Sequence, residues 1–495
     1  MRRAAVLSPA LSKEVRALVP FWGATAAALM AAFVWRPVDP MGGFAYVAGS
    51  LAIGAQSVGQ EFSFRTLPVL LVQPVERRQV YLRKLMVAAA MLLTLAVLAE
   101  ATFARGWRHG PEPLVFATWP ALCGLFLAPL LTMICRSTLA GMILSGSLAA
   151  LTWLVTLAMA WLWFGIDLSD AQVPIIGRLT LAMAVSSPLL GFLGWRRFAE
   201  LEATDSASPA LHLPRLLTPA RGARVHSPLR ALAAKEVHLQ QLTFVIAGLY
   251  VISWAVMVLL QHYIAAMATF PIGGLMLLYC MGLAITIGAV ASAEERHNGA
   301  LGWQLLQPTP AWQQWMVKLG VTFGLACLCA VGLPLLLIGF TPHDTSRVIR
   351  VAGDLAVFVV LLTAGSVYLS SLCTSAVRVM VLFVPAAMAL SYFVRTVSAA
   401  LHWVTLKLAG PLMAGIVTGS IAPASVQPTS IVVLVARASC VTLLPLLLWL
   451  GFLNHTSSER DTRRVVRQVA ALALFIVIEI VAVGGLLASY ELRAR

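Results

Sequence analysis

Two sets of charged residues occur twice in this chain, and each set lies next to a long apolar segment. Lys13-Glu14-Val15 is matched by Lys235-Glu236-Val237, and each tripeptide follows a Ser-Pro pair. The second set begins with Glu and ends with Lys, at Glu61 to Lys84 and again at Glu295 to Lys318. The sequence contains neither the H-E-x-x-H motif of zinc proteases nor the G-x-S-x-G motif of serine hydrolases. The repeated charges therefore indicate ionic interactions, and we expect no covalent chemistry from this chain.

The composition shows what must position these charges. Of the 495 residues, 60% are hydrophobic and 11% are charged, whereas soluble domains carry about 25% charged residues. Apolar runs of about 18 residues or more, each long enough to cross a bilayer, recur along the chain. We expect an all-α polytopic membrane protein and exclude a soluble enzyme, a disordered regulator and a disulfide scaffold. Thirteen spans are predicted, at 17–35, 41–59, 85–104, 114–135, 138–164, 177–194, 242–264, 270–292, 319–341, 351–373, 377–395, 430–453 and 466–488.

The chain has a net charge of +15. Its Lys and Arg residues lie in short loops between the apolar runs, so we interpret them as charges that orient the spans in the bilayer and not as a nucleic-acid-binding surface. With the N-terminus inside, the cytoplasmic side carries 24 of the 35 Lys and Arg residues and the outer side carries 10. This distribution follows the positive-inside rule. An odd number of spans then places the C-terminus outside. We interpret the moderately apolar segment 396–429 as an external or re-entrant segment.

The repeated charges indicate an internal duplication. Glu61 to Lys84 aligns with Glu295 to Lys318 without gaps, and seven of the 24 aligned positions are identical. Each half also opens with an amphipathic helix that we expect to lie on the inner membrane surface, carrying Lys13 and Glu14 or Lys235 and Glu236. The predicted organisation is a six-span half at 1–199, a linker at 200–226, a second six-span half at 227–455 and an extra transmembrane helix at 456–495.

The repeated loop follows the second span of each half. Its apolar residues have helical spacing, and a Gln-Pro pair follows them. This pattern predicts a short helix lying under the membrane that ends before the proline, with its charged ends in water. The alternative is an ordinary amphipathic connection between two spans.

At these residues the chain resembles the permeases of ABC transporters of the ABC-type-2 exporter class. Their loop reads roughly Glu-x-x-x-Gly-Thr-Leu-x-x-Leu-Leu-x-x-Pro, with a Lys ten residues later. The first half matches with Glu61, Thr66, Leu67, Leu70, Leu71, Pro74 and Lys84, and has Arg65 in place of Gly. The second half matches with Glu295, Gly299, Leu301, Leu305, Pro308 and Lys318, and has Ala300 in place of Thr. The resemblance covers both halves but not the last span.

The resemblance implies a permease in a bacterial cytoplasmic (inner) membrane, whose two loops are coupling helices docked on a separate ATP-binding subunit, in two copies. ATP and Mg would be bound by that subunit, because the sequence has no G-x-x-x-x-G-K-[ST] motif. We expect no cofactor, no metal site and no enzymatic activity in this chain. The alternatives are a secondary transporter of the major-facilitator type and a membrane scaffold or assembly factor without transport.

Two charged residues fall deep within the last two predicted spans. Arg437 lies seven residues from the outer end of 430–453, and Glu479 lies nine residues from the outer end of 466–488. Charges at such depth are costly and are usually paired or functional. Because the two spans are antiparallel neighbours, we expect Arg437 and Glu479 to form an ion pair that docks the extra helix.

Overall fold

The computed structural model describes residues 9–35, 39–64, 66–72, 74–104, 112–164, 168–201, 228–263, 272–297, 299, 304, 306, 309–339, 345–414, 428–457 and 462–493. All regular elements in these ranges are helices. The first are α1 (Pro9–Val34), α2 (Asp39–Ser63), the short α3 (Leu67–Val72) and α4 (Arg77–Phe103). Then come α5 (Glu112–Leu122), a π-helical turn (Cys123–Leu127), α6 (Ala128–Cys135), α7 (Thr138–Phe164) and α8 (Leu168–Ala199).

The remaining helices follow the linker region. They are α9 (Pro228–Leu239), α10 (Gln241–Tyr263), α11 (Ile272–His297) and α12 (Ala311–Leu325). A second π-helical turn (Ala326–Gly332) leads into α13 (Leu333–Ile338). The chain then forms α14 (Thr345–Leu372), α15 (Ala376–Ala414), α16 (Pro428–His455) and α17 (Thr462–Arg493).

The helices support the predicted class of protein. Ten helical segments among the described residues are long and apolar enough to cross a membrane. The chain is therefore an all-α polytopic integral membrane protein, as the composition predicts. Each of the thirteen predicted spans falls on a helix, to within a few residues at its ends. The number of spans and the orientation of the termini stay predictions.

Contacts divide the chain into two compact units that do not follow the predicted halves residue by residue. Unit 1 comprises Met1–His226, Val237–Tyr279 and Thr374–Pro385, and unit 2 comprises Ser227–Glu236, Cys280–Cys373 and Ala386–Arg495. The duplication and its domain boundaries stay a prediction from the sequence.

Helix α2 forms the centre of unit 1, where it packs against α1, α4, α6 and α7. Small residues let a neighbouring backbone approach it closely, as is common between membrane helices. A Cβ atom on Gly54 would lie 1.7 Å from the carbonyl oxygen of Gly124, in the first π-helical turn. A Cβ atom on Gly124 would in turn lie 2.4 Å from the carbonyl oxygen of Ser50. The two backbones are therefore in direct contact.

In unit 2, serine side chains join α11 to α14. Ser366 Oγ donates a hydrogen bond to the carbonyl oxygen of Ile285 at 2.7 Å, and Ser370 Oγ donates to that of Ala289 at 2.9 Å. Both hydroxyls are buried, so they bind backbone acceptors on the facing helix. Helix α14 also packs against α16, which contacts α17.

One local prediction is corrected by the structure. The amphipathic helix expected before the first span is not a separate element, because α1 runs without a break from Pro9 to Val34. In the second half the corresponding helix, α9, is separate and ends before Gln241. The segment 396–429 is helical up to Ala414, since it continues the 39-residue helix α15, and its external or re-entrant position stays a prediction. At 1.5 Å per residue this helix is about 58 Å long, roughly twice the hydrocarbon thickness of a bilayer.

Candidate functional site: two buried lysine–glutamate clusters

The repeated charges of the first half meet in one buried cluster, here called cluster A (Lys13, Glu14, Gln60, Glu61 and Lys84). Lys84 Nζ, on α4, donates to Glu14 Oε1 on α1 at 2.8 Å and to Glu61 Oε1 on α2 at 2.9 Å. The Lys84 side chain is 1% exposed and that of Glu61 is fully buried. One ammonium group therefore joins three helices, and its removal would take away the cationic partner of Glu14 and one of the two cationic partners of Glu61.

The outer members of cluster A complete its hydrogen bonding. Lys13 is half exposed, and its Nζ lies 3.2 Å from Glu61 Oε1. Gln60 Nε2 donates to Glu14 Oε2 at 2.5 Å, and the Thr66 hydroxyl donates to Glu61 Oε2. All four carboxylate oxygens of the cluster thus accept hydrogen bonds, which is the condition for burying ionised groups at a tolerable cost.

The second half forms a corresponding group, here called cluster B (Lys235, Glu236, Glu295, Gln304 and Lys318). Lys318, on α12, is fully buried, and its Nζ donates to Glu295 Oε2 at 2.5 Å and to the carbonyl oxygen of Ala291 at 2.5 Å. Lys235 Nζ, on α9, donates to Glu295 Oε1 at 2.5 Å and to Gln304 Oε1 at 2.8 Å.

Glu236 is the least well bound carboxyl group of cluster B. Its Oε1 lies 3.5 Å from Lys318 Nζ and 3.9 Å from Lys235 Nζ. Burial raises the pKa of Glu236 to about 7; the charge of Lys318 opposes this increase, and the neighbouring carboxylate of Glu295 adds to it.

The clusters correct the expectation that the charged ends of the repeated loop lie in water. Glu61 and Glu295 stand near the ends of α2 and α11, where they are buried against a lysine of the following long helix. Each cluster also joins the Lys-Glu pair at the start of its half to the charged ends of the repeated loop. The sequence interpretation had placed Lys13-Glu14 and Lys235-Glu236 on the membrane surface, away from that loop. Glu14 and Glu236 are both buried.

The first of the two repeated loops contains the predicted short helix. Helix α3 begins at Leu67, which is fully buried, and ends at Val72, just before Gln73 and Pro74. Its other face is left uncovered by the described residues, because Val69 is 66% exposed and Val72 is 83% exposed. Exposed apolar patches mark protein-binding or membrane-binding surfaces. Arg65 and the Leu71 side chain lie outside the described residues.

The second repeated loop is described at only a few positions. Gly299 has a φ of +67°, in the left-handed region that favours glycine, and its N–H donates to the carbonyl oxygen of Arg296 at 3.3 Å. Leu306 is 78% exposed. Leu301, Leu305 and Pro308 lie outside the described residues.

Of the ion pair predicted between Arg437 and Glu479, the structure describes only the Glu479 side chain. Glu479 is buried in α17, and Thr442 Oγ1 on α16 donates to its Oε1 at 3.0 Å. The Arg437 side chain lies outside the described residues, so the ion pair stays a prediction.

Sequence reasoning missed the amides that complete the clusters. Gln60 precedes Glu61 directly, and its signal was a polar residue at the end of an apolar run. Gln304 occupies the position of Leu70 in the aligned loops, and its signal was a polar residue where the first half has an apolar one.

No model of a known protein family, no curated protein and no solved structure matches this chain.

Proposed function

We propose that this chain is the transmembrane permease subunit of an ATP-driven ABC exporter in a bacterial inner membrane. A separate ATP-binding subunit, in two copies, would hold ATP and Mg and push on the two coupling loops. The substrate would cross between inward-open and outward-open arrangements of the helices.

The observation that carries the proposal is the construction of the first loop. Helix α3 exposes Val69 and Val72, while both ends of the loop are anchored. Glu61 precedes the loop and Lys84 follows it, and their ion pair joins α2 to α4. Glu14 joins α1 to the same lysine. A force applied to α3 would therefore be transmitted to three long helices at once.

The test targets the exposed face of α3 and spares the buried charges. The full chain is purified from its native membrane in mild detergent, and co-purifying ATP hydrolysis is measured. Val69→Ser combined with Val72→Ser should weaken ATPase association about tenfold, the effect of losing about 1.4 kcal/mol. Arg78→Ser, at an exposed position in the first turn of α4, is the matched control.

The outcomes separate the proposal from its rivals. Unchanged ATPase association in a stable α3 variant would contradict the docking role of this helix. If the wild-type chain carries no ATPase but transports solute along an ion gradient after reconstitution, it is a secondary transporter. If it does neither, it is a scaffold or assembly factor. Substitutions of Glu61 are unsuitable for this test, because they also break cluster A.

A further inference from the structure

Clusters A and B each contain two lysines and two glutamates, but they bind the carboxyl group of the first glutamate differently. In cluster A, Glu14 accepts from Lys84 at 2.8 and 3.0 Å and from Gln60 at 2.5 Å. All these partners are donors, so they stabilise the ionised carboxylate. In the aligned second half, the position of Gln60 is occupied by Glu294. That position therefore offers no amide donor to the counterpart of Glu14.

The counterpart, Glu236, is buried with weaker partners. Lys318 donates to Glu295 and to the backbone of Ala291, both at 2.5 Å, and lies 3.5 Å from Glu236 Oε1. That oxygen accepts no hydrogen bond from any residue within the described ranges. The neighbouring carboxylate of Glu295 raises the pKa of Glu236 further, because two like charges disfavour the ionised form.

Cluster B is electrically neutral when Glu236 is ionised and carries a net positive charge when Glu236 is protonated. Lys235 on the same helix, Glu295 on α11 and Lys318 on α12 face this carboxyl group. Arg296 on α11 and His455 on α16 lie within electrostatic range of the same cluster. Protonation of Glu236 leaves one acidic and two basic groups in cluster B. The cost of burying an ionised carboxyl without close donors favours this state despite the excess positive charge.

We propose that Glu236 is a proton-binding site. Cluster B is then a contact between α9, α11 and α12 whose charge changes with pH. Because the ligand is a proton, the site requires no metal or cofactor. The proposal does not depend on the nature of the transported substrate or on the presence of an ATPase.

The direction of the stability effect follows from linkage. The pKa of Glu236 is raised from 4.5 to about 7 in the folded chain. Its contribution to stability is fully present below the unfolded value and is lost as pH rises through about 7. Glutamine is an uncharged isostere of the protonated side chain, so Glu236→Gln should remove this loss at high pH.

The first measurement is infrared difference spectroscopy on the purified full chain during a pH titration. The carbonyl stretch of a buried protonated carboxyl should disappear as pH rises through about 7, and this change should be absent from Glu236→Gln. The signal is specific for carboxyl groups, so His455 does not contribute to it. A titrating band that persists unchanged in Glu236→Gln, or that is missing from the wild-type chain, would overturn the proposal.

The second measurement compares matched variants by thermal unfolding in detergent, at about pH 5.5 and about pH 8.5, on either side of that pKa. Glu236→Gln should raise Tm by a few degrees at the higher pH and much less at the lower. Glu14→Gln should lower Tm at both, because it removes the carboxylate that Lys84 binds. If both variants lower Tm equally at both values, Glu236 acts as an ordinary ionised partner and the proposal fails.

Discussion

Asn454 and Gln468 form a reciprocal amide pair between the last two helices. Asn454 Nδ2, at the end of α16, donates to Gln468 Oε1 at 3.1 Å, and Gln468 Nε2, on α17, donates back to Asn454 Oδ1 at 2.9 Å. Asn454 also donates to Ser371 Oγ, and the Tyr368 hydroxyl donates to Gln468 Oε1 at 3.2 Å. Since all four side chains are buried, this network holds α17 against α14 and α16.

The amide pair predicts a positive coupling energy between its members. Asn454→Leu or Gln468→Leu alone should each leave a buried amide without its partner, whereas the double variant removes both. The expected coupling is about 0.6–1.7 kcal/mol, the range found for hydrogen bonds between membrane helices. Unfolding in detergent measures it as a double-mutant cycle. Thr456→Val, at an exposed position beside the same helix end, is the control, and strictly additive effects would contradict the pair.

A second cycle tests the ion pair expected from the sequence deeper in the same helices. Glu479 accepts a hydrogen bond from Thr442, and a single buried charge near the membrane centre costs about 2.5–3.5 kcal/mol on insertion scales. If Arg437 supplies the counter-charge, Arg437→Met and Glu479→Leu should show a coupling energy, measured by unfolding in detergent. Independent, additive effects would mean that Thr442 binds a Glu479 that has no ionic partner in Arg437.

Cluster A predicts that Lys84 is essential for stability. Lys84→Met removes the one donor shared by Glu14 and Glu61, and should cost about 3–5 kcal/mol, as expected for breaking a buried ion pair. Arg78→Met, at an exposed position six residues earlier on α4, should change stability by less than about 0.5 kcal/mol. The measurements are denaturant unfolding in detergent and yield of folded protein. A stable, well-expressed Lys84→Met chain would show that the cluster is not structurally important.

The positions of the helices were predictable because each apolar run is long, continuous and bounded by charged or Pro-containing segments. The ends were predicted less well. The sequence interpretation ended the second span at 59 and began the third at 85, and so left Glu61 and Lys84 outside, whereas α2 reaches Ser63 and α4 begins at Arg77. A hydropathy profile ends a span at each charged residue, but a charged side chain that pairs with a residue of another helix can lie within the helix itself.

The assembly of the clusters was less accessible from the sequence. Lys13-Glu14 and Glu61 to Lys84 were assigned separate roles because they are far apart in the chain. One signal did connect them: the four charged residues of each cluster follow the same order along the chain, Lys, Glu, Glu and Lys, with balanced charge. The asymmetry between Glu14 and Glu236 has one signal in the sequence, the replacement of Gln60 by Glu294, but the distances to Lys84 and Lys318 could be read only from the structure.

The predicted topology can be tested at the C-terminus. Thirteen spans with the N-terminus inside would place the segment after α17 outside, while Arg463 and Arg464 at its start remain inside. A reporter that is active only in the cytoplasm should be silent when fused after Arg495. The same reporter inserted in the linker 200–226 should be active. Strong activity after Arg495 would show an even number of spans.

The contact between Gly54 and Gly124 predicts that even one methyl group cannot be accommodated there. In Gly54→Ala the new Cβ would lie 1.7 Å from a backbone oxygen, which cannot rotate away as a side chain can. The helix α2 and the π-helical turn would have to separate, at a cost of about 1–3 kcal/mol or more. Gly320→Ala, on α12 with no atom within 4 Å of the added Cβ, should instead be neutral or stabilising, because alanine favours a helix over glycine by about 1 kcal/mol. Unfolding of both variants in detergent measures the difference. Equal stability of the two would mean that these backbones are not in contact.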